Sequence, residues 1–177
     1  MRMIAVINQK GGVGKTTTSV NLSAALAYKG KKILLIDLDP QSNATVGVGI
    51  NRGFLEYNGY DVLIGDAQIK DAIVTTNIKN LDILPSTVDL AGLELSLAGL
   101  DEREFQLFNR LTQIRNEYDY VIIDCPPSLG LVTINALCAS DSTLIPVQCE
   151  FYALDGLTQL LNTIRIVQTR LRPRKRD

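Results

Sequence analysis

Short apolar runs alternate along this chain with longer stretches of helical periodicity. Residues 3–8, 33–36, 81–84, 120–123 and 143–147 are rich in Val, Ile and Leu and predict strands. Near-continuous runs of this kind suit parallel strands buried on both faces. A helix is predicted over residues 16–29, with Val20, Ala24 and Ala27 on one face and Gly30 as its stop. Residues 51–59 hold several Gly and Asn and predict a loop. Short helices are expected near 60–63 and 69–72, another near 90–98, and a longer one near 104–117. The last is an amphipathic helix over 153–171, whose stripe of Leu154, Leu157, Leu161 and Ile164 is expected to cover the sheet. Strand and helix in alternation give β-α-β units. The expected fold is α/β, a doubly wound, mostly parallel sheet flanked by helices.

The first apolar run leads straight into Lys10, Gly11, Gly12, Val13, Gly14, Lys15, Thr16 and Thr17. A strand, a glycine turn and a helix start are what a phosphate cradle requires. The glycines let successive backbone N–H groups point at one anion, and the helix N-terminus adds its dipole. Lys15 supplies a mobile cation for the β/γ oxygens, and the Thr16 hydroxyl is placed to hold Mg²⁺. A glycine-rich loop is often only a tight turn. Here glycines, lysine, two threonines and a preceding strand coincide, and a nucleoside triphosphate site is the better reading. The common P-loop would have glycine at position 9, where this chain has Gln9, and Lys10 stands as a second lysine before the glycine pair.

Three aspartates belong to the same picture. Asp37 and Asp39 end the second apolar run and Asp124 ends the fourth. Ligands of open parallel sheets bind at the carboxyl ends of the strands. Carboxylates gathered beside phosphates repel unless a divalent cation intervenes. Aspartate is also a common strand-exit residue, which is the plainer alternative for each.

Composition narrows the remaining choices. At 177 residues, 46% hydrophobic and 21% charged, the chain suits one soluble domain. Its expected extent is 1–172, followed by a basic tail over 173–177. No apolar run approaches the roughly 20 residues of a membrane helix, and no export signal is visible. Cys125, Cys138 and Cys149 are scattered and odd in number, which fits a reducing cytoplasm. Histidine is absent, which removes Ser-His-Asp and Cys-His catalysis and histidine-ligated metals. Residues 170–177 carry five of the 18 basic residues and one of the 19 acidic ones; the rest, with 13 basic and 18 acidic, has a net charge of −5. A basic end could touch DNA phosphates, although a solvated terminus is the simpler account.

The glycine loop resembles the deviant P-loop of the ParA/MinD group, K-G-G-x-G-K-[ST]. The segment with Asp37, Asp39, Pro40, Gln41 and Ser42 is similar to that family's switch I. The segment with Asp124, Cys125, Pro126, Pro127, Ser128, Leu129 and Gly130 is similar to its Walker B strand and switch II. The residues from Ile145 to Leu157 are similar to the next strand and loop of the chromosomal ParA type, often called Soj. The likeness runs from residue 3 to about residue 171.

The resemblance implies a cytoplasmic, nucleoid-associated ATPase that takes ATP and Mg²⁺. Lys10, Lys15 and Asp39 would be catalytic, with Asp39 orienting the attacking water and Lys10 reaching the phosphates of a partner subunit. Thr16 would bind Mg²⁺ directly and Asp124 through a water, with Asp37 supporting the metal's shell. The implied partners are a second copy of the chain in an ATP-dependent sandwich dimer, non-specific DNA and a ParB-type centromere-binding protein. The implied output is segregation of chromosome or plasmid DNA.

Family members continue past the helix over 153–171, adding adenine-contacting and DNA-binding segments. Weakened adenine recognition and an exposed sheet edge at 143–147 are therefore expected. A non-catalytic nucleotide-dependent regulator and an inactive fragment are the alternatives. A MinD-type septum-positioning ATPase would end in an amphipathic membrane helix, for which this tail is too short and too polar.

Overall fold

The computed structural model describes residues 1–149 and 153–171, with residues 153–156 described by their backbone alone. The elements are β1 (Arg2–Val6), α1 (Lys15–Tyr28), β2 (Ile33–Asp37), α2 (Asn43–Gly47), α3 (Gly59–Ile64), α4 (Ile69–Ala72), β3 (Val74–Thr75), β4 (Leu81–Leu84), α5 (Leu93–Leu97), α6 (Gln106–Leu111), β5 (Tyr120–Asp124), α7 (Leu131–Ala139), β6 (Ser142–Leu144) and α8 (Ala153–Ile166). Among the described residues the strands form a six-stranded sheet in the order β3-β4-β2-β5-β1-β6. Every described pairing is parallel apart from the two residues of β3, which run antiparallel on β4. This is the doubly wound, mostly parallel α/β sheet that the apolar pattern predicts.

Side chains of the central strands alternate between two hydrophobic clusters, as the strand period of two requires. Leu34, Ile36, Val121 and Ile123 face a large cluster with residues of α3 to α8. Ile33, Leu35 and Ile122 face a smaller one with Ala27 of α1 and with Ala44 and Val48, which come from α2 and its C-cap. Because β2 is buried on both faces, all five of its residues are inaccessible to solvent.

Several elements differ from the pattern read in the sequence. The buried face of α1 is Lys15, Ser19, Ser23 and Ala27, not Val20, Ala24 and Ala27. Small serines let the helix sit close to the sheet, while Val20 is only partly buried. The single helix expected over 104–117 is shorter: α6 is followed by a 3₁₀ turn, Thr112–Ile114. The helix expected over 90–98 is a 3₁₀ turn, Val88–Gly92, that runs into α5. The loop over 51–59 contains a 3₁₀ turn, Arg52–Phe54, and the strand expected over 143–147 contracts to β6.

Pro146, which cannot donate to a ladder, accounts for that early end. Among the described residues β6 pairs only with β1, so it stands at a sheet edge. In α8 and the π-wound turn Val167–Leu171 the buried positions are Leu160, Ile164 and Val167, while Leu161 is half exposed. The side chain of Leu154 and the tail over 173–177 lie outside the described residues.

Candidate nucleotide-phosphate site

The sheet order places three loops side by side. Asp124 of β5 lies in register with Val6 of β1 on one side and with Asp37 of β2 on the other. The carboxyl ends of β1, β5 and β2 therefore open at one level, and the glycine loop leaves from the first of them. Backbone bonds hold this level firm, with the Leu38 amide donating to the Asp124 carbonyl at 2.9 Å.

The loop itself is built on left-handed glycines. Gly12 has φ +74° and Gly14 φ +89°, conformations that a side chain makes costly. Gly14 serves as N-cap of α1 with no side-chain cap, which leaves the first amides of the helix to face a ligand. A Cβ at Gly11, Gly12 or Gly14 would meet nothing within 4 Å, so the concave side of the loop is open. Asn8 fixes both flanks of this entrance: its Oδ1 accepts from the Lys10 amide at 3.0 Å and its Nδ2 donates to the Pro146 carbonyl at 2.7 Å. Gln148 reaches back to the Gly12 carbonyl at 3.2 Å.

Lys15 is buried, and its ammonium donates to the Lys10 carbonyl at 3.1 Å. Burial lowers its pKa, against the pull of Asp124 and Asp39, which favour the charged form. Asp124 has no solvent exposure; its Oδ1 accepts from Ser19 at 2.8 Å. Burial pushes its carboxyl up to about 6, offset in part by the Thr16 and Ser19 hydroxyls and reinforced by Asp37 and Asp39. The Thr16 hydroxyl stands close enough to favour ionisation, yet Oδ2 of Asp124 makes no hydrogen bond of ordinary geometry. A buried carboxylate oxygen without a donor beside a hydroxyl and a lysine is a group prepared for a cation. The donor set thus fits Mg²⁺ and the open cradle fits a phosphate chain. The Cys125 thiol, fully buried, is pushed up by that burial and is held neutral.

Asp37 is also inaccessible, but its oxygens are committed to protein donors. Oδ1 accepts from the Asp39 amide at 3.1 Å, and Oδ2 from the amide and hydroxyl of Thr45, both at 2.8 Å. Burial raises its pKa against these bonds. Asp39 is half-buried, and its Oδ1 accepts from the Gln41 amide at 2.9 Å. Lys15, Thr16, Asp39 and Asp124 are therefore brought within electrostatic reach of one another, with Asp37 behind them. Lys10 meets this group through its backbone carbonyl, and Thr17 faces outward on α1.

The pattern in the sequence did not single out Ser19 or Ser86. Ser19 lies one helical turn after Lys15, a spacing that signals a shared face once the strand end opposite it is known.

Comparison with known proteins decides the family. A family model described as an AAA domain matches residues 1–175. The sporulation initiation inhibitor protein Soj of Bacillus subtilis is 59% identical over 170 residues, which cover 96% of this chain and 67% of Soj. The chain belongs to the ParA/Soj family of P-loop ATPases. The ParA chromosome partitioning protein of Myxococcus xanthus is 51% identical, covering 97% of this chain and 61% of its own length. The chain thus spans about two thirds of the length of these curated relatives.

Among solved structures, a cobyrinic acid a,c-diamide synthase of Mycobacterium smegmatis with bound ATP analogue and magnesium superposes with TM-score 0.94. It is 43% identical over 98% of this chain and 70% of its own. A plasmid partition protein of Borrelia burgdorferi superposes with TM-score 0.83 at 32% identity, over 94% of this chain and 73% of its own. The ParA/Soj fold of this chain thus matches structures with differing names. No helix among the described residues is long and apolar enough to cross a membrane.

Proposed function

We propose that this chain binds Mg²⁺-ATP at the glycine loop and hydrolyses it slowly, as a switch in the segregation of chromosome or plasmid DNA. The observation that carries this reading is the buried Asp124 carboxylate, with one oxygen lacking a donor, set beside Thr16 and Lys15 at the mouth of an open glycine cradle. The loop amides and Lys15 bind the phosphates, whose negative charge draws the Lys15 ammonium off the Lys10 carbonyl. Thr16 and Asp124 would hold Mg²⁺, and Asp37 would support that shell from behind through Asp39 and Thr45. When bound, the cation neutralises charge on the phosphate oxygens. Asp39 orients the attacking water. Positioning and charge neutralisation supply most of the rate in phosphoryl transfer, so the chain needs no covalent nucleophile.

In the same reading Lys10 serves a second copy of the chain in a sandwich dimer, with ATP at the interface. Switch II, residues 125–130, reports the nucleotide to that face, and Pro126 and Pro127 restrict its conformations. The dimer binds DNA without sequence preference, and a ParB-type protein stimulates hydrolysis. The Soj and ParA names of the curated relatives support this function over amide ligation. Thermal unfolding with and without Mg²⁺-ATP tests the reading. A ligand at about 100 times its Kd adds roughly 2.7 kcal/mol to the folded state. The transition is expected to rise with Mg²⁺-ATP in the parent chain and not in Lys15→Ala. A shift of equal size in both excludes the glycine loop as the site.

A further inference from the structure

Two loops that leave neighbouring strands, one after β2 and one after β4, are joined by a closed ring of hydrogen bonds. The Thr45 hydroxyl donates to Asp37 Oδ2 at 2.8 Å and accepts from the Ser86 amide at 3.0 Å. The Ser86 hydroxyl donates to the Asp39 carbonyl at 2.5 Å. The Asp39 amide donates to Asp37 Oδ1 at 3.1 Å and closes the ring. Asp37, Thr45 and Ser86 have no solvent exposure, so water does not compete for these bonds.

The ring holds the backbone of Asp39 from both sides, its N–H by Asp37 and its C=O by Ser86. The Ser42 amide adds a bond of 2.8 Å to that same carbonyl. Ser42 itself sits at φ +57°, a conformation that costs a non-glycine residue about 1 kcal/mol and persists only where surrounding bonds fix it. The Asp39 side chain is half open and its Oδ1 is held at 2.9 Å by the amide of Gln41, two residues on in the same loop. Its direction therefore follows from where the backbone of that loop is pinned.

We infer that Ser86 is a positioning residue for Asp39: its hydroxyl fixes the Asp39 backbone so that the carboxylate is already aimed before nucleotide arrives. The inference rests on the reading of Asp39 as the group that orients the attacking water. Ser86 is separated from Asp39 by 47 positions and enters the site only through the β4–β2 pairing. It acts on geometry, so it affects the chemical step more than nucleotide binding, which belongs to the glycine loop. Misplacing a group by about 1 Å can slow such a step about a hundredfold.

The test uses the whole chain and two readouts, steady-state ATP hydrolysis with Mg²⁺ and amide hydrogen exchange over residues 39–45 without nucleotide. Ser86→Ala is expected to lower kcat about tenfold or more, with KM for ATP within about twofold. It is also expected to speed exchange over 39–45, and Ser86→Thr, which keeps the donor, is expected to restore both. A KM effect with kcat preserved overturns the inference, as does unchanged exchange or failure of Ser86→Thr to rescue. Should Ser86→Ala not fold, Ser86→Cys, a weak donor of similar size, is judged by the same criteria. If the parent chain binds Mg²⁺-ATP but turns none over, the proposed hydrolysis fails. The exchange of residues 39–45 then decides the positioning role by itself.

Discussion

Asp124 carries an electrostatic cost that the rest of the site must offset. Its carboxyl titrates near 3.8 in an unfolded chain and at about 6 in the folded one, chiefly because burial disfavours the charge. Between those values the folded state holds a proton that the unfolded state has released. The stabilisation from this group is therefore full below 3.8 and lost as pH rises through about 6. Asp124→Asn has no charge to bury and escapes that loss. Without Mg²⁺ or nucleotide, its stability relative to the parent chain should grow by about 2–3 kcal/mol from pH 4 to pH 7, then level off. Urea midpoints across that range read the difference directly; a constant difference would mean that the carboxylate is not penalised. At this scale the sequence was most legible where chemistry is contiguous, as from Lys10 to Thr17. It was silent on Ser19 and Ser86, because a serine announces nothing until the fold shows which carboxylate or carbonyl stands opposite.

The elements that escaped the pattern did so for physical reasons. The α7 segment shows no helical period in the sequence, since seven of its nine residues are buried and no polar face marks one. Val132, Thr133 and Ile134 are β-branched and carry weak helix preference, so packing between neighbours decides the matter. α2 and β3 are too short to leave a period at all. The start of α7 depends on a contact that no local pattern reveals. Glu94 of α5 accepts the Leu131 amide at 2.7 Å, and a Cβ on Gly130 would lie 1.9 Å from that carboxylate oxygen. Gly130 has φ −73°, so alanine there is not strained by its backbone. Gly130→Ala should then cost about 1 kcal/mol, the worth of a carboxylate held at a helix start. The same substitution in a Glu94→Ala background should cost almost nothing. Equal costs in the two backgrounds, measured by chemical denaturation, would show that the contact does not govern the start of α7.

Across the whole molecule, strand order converts scattered residues into one site. Positions 6, 37 and 124 are far apart in sequence, yet β1, β5 and β2 set them at one level of the sheet. The apolar runs made the strands legible, but their order is a property of the folded sheet that no run of residues announces. The same arrangement separates the two lysines of the loop. Lys15 turns inward, buried against the Lys10 carbonyl and under the influence of Asp124 and Asp39, whereas Lys10 stands at the loop's start, half exposed. If Lys10 serves a second subunit, the two substitutions must part company. Lys15→Ala should lose both the thermal shift with Mg²⁺-ATP and any rise in mass. Lys10→Ala should keep the shift, because the cradle amides and Lys15 are intact, yet remain a monomer in sedimentation at nucleotide saturation. Because dimerisation is favoured by concentration and binding is set by ligand excess, the contrast should hold across a range of protein concentrations. Dimers of Lys10→Ala with Mg²⁺-ATP at the same concentrations as the parent chain would remove Lys10 from the interface.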